Sequence, residues 1–142
     1  VGVGQSGNGG SGSGDDPMFD SEIVVSFGRN SANATNIWLR LPGNVPSNLS
    51  PFRFLFDVEL VGISSTTEDV ETWDVEIYTG TSVRSGGVPN DADKITEMLN
   101  VSANSNACIL SPSIEISAGT ELGVFCRGTN ISRPTVHLWF QR

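Results

Sequence analysis

The chain has 142 residues, with eight Lys and Arg against sixteen Asp and Glu, for a formal charge of −8. That length sets one domain as the expectation. The acid excess, with Arg and Lys scattered singly, argues against nucleic acid, whose phosphates call for clustered basic residues. Apolar runs of only a few residues argue against a membrane-spanning helix, and the first residues lack the basic and apolar regions of a signal peptide.

Residues 1–19 open with VGVGQSGNGGSGSGDD, in which seven of the first fourteen residues are glycine. The stretch has no apolar period, and glycine loses the most conformational freedom on ordering, so alone it is expected to act as a flexible linker. Contacts that hold it have to come from outside the sandwich. This marks an extended anchoring arm, with Val1, Val3, Asp15, Asp16, Met18 and Phe19 as its candidate contacts. The spacing of Gly4, Gly7 and Gly10 suits close backbone packing, but without proline or a sustained triplet it is not collagen.

From residue 20 onward the dominant signal is strict alternation, the mark of half-buried strands. EIVVSF puts Ile23, Val25 and Phe27 on one face, and IWLRL does the same with Ile37, Leu39 and Leu41. The longest run, FRFLFDVELVG over 52–62, is read as one strand with Phe52, Phe54, Phe56, Val58 and Leu60 inward, and with Phe54 and Phe56 central to the core. TTEDVE (66–71) is expected to be a charged hairpin tip before WDVEIY, whose inward set is Trp73, Val75 and Ile77. DADKITEMLN fits either a helix or a strand, and strand is preferred because no second helix would join it in a layer. SIEIS, ELGVFCR and TVHLWF complete the series, separated by turn clusters such as RSGGVPND, SAGT and RGTNISRP. About eight strands result. The expected fold is all-β, an antiparallel two-sheet sandwich of jelly-roll type over 20–142.

No reaction is legible. His137 lies on the outer phase of TVHLWF, without a nucleophile or orienting acid that a motif would supply. One His and two separated Cys make no metal set. Asp91 and Asp93 have DxD spacing but sit outside any calcium-loop pattern, so a solvated turn is the simpler reading. Cys126 falls on an apolar phase as a buried thiol, and a bridge to Cys108 would need neighbouring strands. No catalytic, cofactor-binding or metal residues are therefore expected. Four N-glycosylation sequons begin at Asn33, Asn48, Asn100 and Asn130, and they matter only in a secreted eukaryotic protein.

The outer-phase aromatics are more informative. Trp38, Tyr78, Phe125 and Trp139 oppose the inward residues of their strands, as does Leu55. Exposed together, such side chains mark a contact surface for a subunit or a glycan. Cover by loops of the same chain is the alternative. In a homotrimer packed through flat sheet faces, Phe125 and Leu55 would be buried, with Arg127 and Glu59 at the rim.

The stretch IWLRLPGNVPSNLSPFRFLFDVELVGIS (37–64), with "VPS" in its turn and "VGIS" closing an aromatic strand, resembles small β-sandwich domains of tailed-bacteriophage virion proteins. EISAGTELGVFCRG and the closing VHLWFQR follow the same pattern, and the likeness spans 20–142 loosely. The resemblance implies a sandwich preceded by a glycine-rich arm, serving in capsid decoration, a head fibre or a tail fibre on the particle exterior. It implies capsid or other virion proteins as partners and brings no catalytic residues. The different-class alternative is a carbohydrate-binding module that stacks sugars, including host glycans, on the outer Trp and Tyr rings.

Overall fold

The long alternating runs form strands because each carries one apolar and one polar face, and two such faces bury each other only as stacked sheets. The computed structural model describes residues 22–84 and 87–142. Its strands are β1 (Glu22–Gly28), β2 (Ile37–Trp38), β3 (Arg40–Leu41), β4 (Val45–Pro46), β5 (Val58–Thr66), β6 (Trp73–Tyr78), β7 (Lys94–Val101), β8 (Ser105–Ile116), β9 (Gly123–Arg127) and β10 (Thr135–Gln141). Two 3-10 turns, Gly80–Arg84 and Asp91–Asp93, lie between β6 and β7. The proposed arm contacts Val1, Val3, Asp15, Asp16, Met18 and Phe19 lie outside the described residues. Among those described, no helix is long and apolar enough to cross a membrane.

The fold is an all-β sandwich. The larger sheet runs β4-β3-β1-β10-β5-β8 and the smaller β2-β9-β6-β7, with every pairing antiparallel. The partnerships nest: β1 with β10, β2 with β9, β5 with β8, and β6 with β7. Between the sheets lies one continuous core that includes Phe27, Leu39, Phe54, Leu60, Ile77, Leu138 and Phe140. Each large apolar side chain buried there contributes about 1.5–3 kcal/mol, which is why the alternation controls the architecture.

Four local expectations need correction. IWLRL is not one strand: Trp38 pairs with Phe125 in the smaller sheet, while Arg40 pairs with Gly28 in the larger. The chain changes sheets at Leu39, which is fully buried at that crossing. Residues 52–62 are also not one strand, because β5 begins only at Val58 and Phe52 makes an isolated bridge to Leu122. Their phase survives in part. Phe54 is buried against Phe52 and Phe140, with ring centroids 4.8 Å from each. Phe56 instead sits half-buried at the edge under the Arg142 guanidinium, 3.9 Å from its ring, so it is not central. TTEDVE is not a hairpin tip either, since β5 and β6 belong to different sheets and the segment crosses between them. There the buried Ser132 clamps it, donating from its backbone N–H and hydroxyl to the Glu71 carboxylate.

DADKITEMLN is a strand from Lys94, preceded by the 3-10 turn Asp91–Asp93 that Asn90 caps through its side-chain oxygen. Cys108 and Cys126 are unbridged, on strands of different sheets. Burial pushes the Cys126 thiol up to about 12.

Candidate functional site

The outer-phase aromatics divide between the two sheets. On the smaller sheet, Trp38, Phe125 and Tyr78 are 4%, 0% and 0% exposed, and with Val83 they form a second apolar cluster outside the main core. The expectation that these three rings face solvent is wrong. They meet edge to face, Trp38 lying 5.3 Å from Phe125 and 5.6 Å from Tyr78, a geometry that favours ring pairs. The 3-10 turn Gly80–Arg84 supplies Val83 as cover, and the Gly87 carbonyl accepts the Trp38 indole N–H at 2.9 Å. Gly123 lies beneath the Trp38 ring, where a Cβ would stand 2.9 Å from it.

Beside this cluster the outer face is charged yet closed. Glu76 is buried and accepts from the Tyr78 hydroxyl at 2.6 Å and from Arg127 Nε at 2.8 Å. Lys94 Nζ stands 3.8 Å from Glu76 and donates to Glu97 at 2.7 Å, separating two glutamates that face each other across β6 and β7. Burial and the Glu76 carboxylate push the Tyr78 phenol up to about 12. The Ser82 side chain, the Ser82 backbone N–H and the Thr81 hydroxyl together hold the Asp93 carboxylate below the usual carboxylate range. Asp93 therefore fastens the covering turn.

Among the described residues, the larger sheet keeps its outer face open. One row across it reads Val24, Trp139, Gly62 and Ile109. Val24 is 43% and Ile109 87% exposed, while Trp139 lies half-buried along the sheet. Its indole N–H donates to the Ser64 hydroxyl at 3.0 Å, which fixes the ring beside Gly62. A bulge shapes this place. Trp139 faces Gly62 while the adjacent Phe140 faces Leu60, so Val61 is the extra residue on β5. On the opposite side Gly62 faces Ile109 but Leu60 faces Ile114, and β8 carries residues 110–113 outside the register. Bulges bend strands and re-aim side chains. Here they leave a groove of about 400 Å³ bounded by Trp139, Ile109, Ala107 and Ser64, with Glu22 and Gln141 at one end.

The next row holds Ser26, His137 and Ser64. Ser26 Oγ lies 2.7 Å from His137 Nδ1, so the nucleophile that no motif announced is within hydrogen-bond reach. Among the described residues no carboxylate is paired with that imidazole, and a triad needs an orienting acid. Leu55, at 88% exposure, projects from the segment before β5. Of the five predicted contact residues, only Leu55 and Trp139 present surface.

No family model, curated protein or solved structure matches the chain.

Proposed function

We propose that the chain is a non-catalytic structural subunit of a tailed-bacteriophage virion, displayed on the particle exterior as a jelly-roll sandwich and attached to capsid or other virion proteins through residues 1–19. The nested strand pairing supports this reading. Pairing β1 with β10, β2 with β9, β5 with β8 and β6 with β7 is the order taken by a long hairpin rolled into two four-stranded sheets. That arrangement serves viral capsid and lectin domains. Because one fold hosts many functions, the glycine-rich segment carries the distinction. The described residues supply two sheets and a continuous core, which leaves that segment available for attachment. Three-fold association suits the role, since closed symmetry leaves no interface open. Leu55 is the contact that remains for it, with Phe125 buried.

Deleting residues 1–14 tests attachment. The melting temperature is expected to stay nearly unchanged while the truncated chain disappears from gradient-purified particles. Retention in the particles would overturn the reading. Light scattering of Leu55→Glu tests the trimer, with monomers expected.

The carbohydrate-binding reading keeps one specific support: the Trp139 ring is locked by Ser64 at a groove whose end carries Glu22 and Gln141. An aromatic platform with a few polar groups is a familiar ligand site. Glycan-array binding lost in Trp139→Ala would favour it.

A further inference from the structure

We propose that the groove beside Trp139 docks a basic, apolar segment of a partner protein. An apolar side chain of that segment seats over Gly62 against the indole, and its Lys or Arg side chains meet the glutamates of the adjoining row. The surface belongs to the sandwich itself and does not depend on the virion role proposed above. The groove supplies the apolar half of the fit. Gly62 gives a floor without a side chain, between Trp139 on one neighbouring strand and Ile109 on the other. At about 400 Å³ the space is at the small end of ligand pockets.

The neighbouring row supplies the charge. The strand register sets Glu22, Gln141, Glu59 and Glu115 side by side across β1, β10, β5 and β8. On β1 and β10 this row is two residues from Val24 and Trp139, about 7 Å along the strands. All three glutamates are exposed. Glu59 and Glu115 are direct cross-strand partners, a placement that like charges destabilise. Among the described residues no Lys or Arg forms an ion pair with any of the three, although Glu68, Glu76, Glu97 and Glu121 each have one. Glu59 accepts from the Ser113 hydroxyl, a neutral donor. Arg142, the cation on that side, stacks over Phe56 instead. The opposite flank, Ser26, His137 and Ser64, carries no carboxylate, so the negative field has one side and orients the occupant. A partner's cation relieves the repulsion between Glu59 and Glu115, and another over the indole gains a cation–π contact. A second copy of a chain with formal charge −8 brings acid to acid. A neutral sugar finds the ring but leaves the glutamates without a cation.

Tryptophan emission of the full chain, titrated with a capped synthetic pentapeptide that alternates lysine and leucine, tests this. Trp38 and Trp73 are 4% and 2% exposed, so a change reports Trp139, and Trp139→Phe should abolish it. A saturable blue shift is expected, and added salt should weaken it. Peptides with glutamate for lysine, or with serine for leucine, should give no shift at the same concentrations. Glu59→Gln combined with Glu115→Gln should weaken binding several-fold. Asp69→Asn combined with Asp91→Asn changes the net charge equally at exposed positions outside the groove and should leave binding unchanged. Equal weakening by the two pairs would reduce the effect to net charge and overturn the proposal. So would a lysine–serine peptide that works as well, or no shift with any peptide. A shift produced by a sugar and not by the peptide assigns the groove to a glycan and overturns it. Emission that depends on protein concentration without peptide assigns it to a second copy, with the same consequence.

Discussion

The two sheets of this sandwich treat their outward-facing aromatics in opposite ways. On the smaller sheet Trp38, Tyr78 and Phe125 are roofed by the turn Gly80–Arg84, and the neighbouring charges are paired around Glu76. On the larger sheet Trp139 lies along a groove that no described residue covers, between two of the exposed apolar side chains, Val24 and Ile109. The difference is made by what the connections do. The chain between β6 and β7 is long enough to fold back over its own sheet, with Asp93 pinning it and Val83 filling the space. The long strand β8 instead ends the larger sheet as an edge. An aromatic on the outer phase of a strand thus reports either a covered second core or a contact face, and the loop decides which.

The largest effect expected from this contrast is at Phe125. Truncating a buried Phe to Ala costs about 3–5 kcal/mol, and Phe125→Glu buries a second carboxylate beside Glu76, whose nearest cation, Arg127, is already paired with it. Loss of the near-ultraviolet circular dichroism and of cooperative unfolding is expected, rather than a folded protein of altered association state. A folded Phe125→Glu variant would show that the cover is dispensable and that the two faces are alike.

Next in size is the polar seam beside that cluster. Arg127→Ala removes the closest cation from buried Glu76, and leaving a charged acceptor short of its donor costs about 2–3 kcal/mol. Tyr78→Phe removes the second donor for about 1–2 kcal/mol. Urea unfolding of the two single variants and the double variant should reveal coupling between them, since both donate to one carboxylate. Strict additivity would mean that Glu76 is solvated and the seam open.

The same seam gives a pH signature. Tyr78, the sole tyrosine, has its phenol pushed up from 10.0 to about 12, and the Cys126 thiol moves from 9.0 to about 12. In both cases the folded state holds its proton where the unfolded chain has released it. Their contribution is complete below the unfolded values and is lost as pH rises from about 9 to about 12. Thermal unfolding across that range should show a falling melting temperature, with a shallower fall in Tyr78→Phe. The phenolate absorbance of the native protein should rise only near the upper end. A rise near pH 10 would place Tyr78 in solvent.

The strands were legible because burial selects for period two wherever a face is hidden: β1, β6, β9 and β10 lie where Ile23, Trp73, Val124 and Leu138 predict them. The preference for a strand at 94–101 also holds, as its neighbours are strands. What escaped is whatever one strand's phase cannot encode. Phe52 and Phe54 keep an alternating phase without a shared ladder, because an isolated bridge to Leu122 suffices to hold extended chain. The sheet change at Leu39 leaves the alternation of IWLRL intact and is therefore silent. The roof over Trp38 did leave a trace: Val83 between Gly80 and Gly87 is an apolar side chain in a turn-rich stretch, and a buried indole N–H needs an acceptor. The groove at Gly62 had less, since a lone glycine in a strand announces a bulge or a close approach without saying which.

The smallest expected effect lies on the larger sheet and is the most discriminating. Ile109 is 87% exposed, so its transfer from water on folding is slight. Ile109→Thr keeps the β-branch that suits a strand. A surface change of this kind stays within about 0.5 kcal/mol, against several for Phe125 although both are outer-phase residues of the same sandwich. Paired urea titrations of the full chain make the comparison directly. A cost near zero means that the face meets water across most of the population. A cost above about 1 kcal/mol exceeds what an uncovered surface position gives, and means that Ile109 is packed in solution. The midpoint of the transition then identifies the cover, because a segment of the same chain leaves it independent of protein concentration, whereas a second copy raises it as concentration rises.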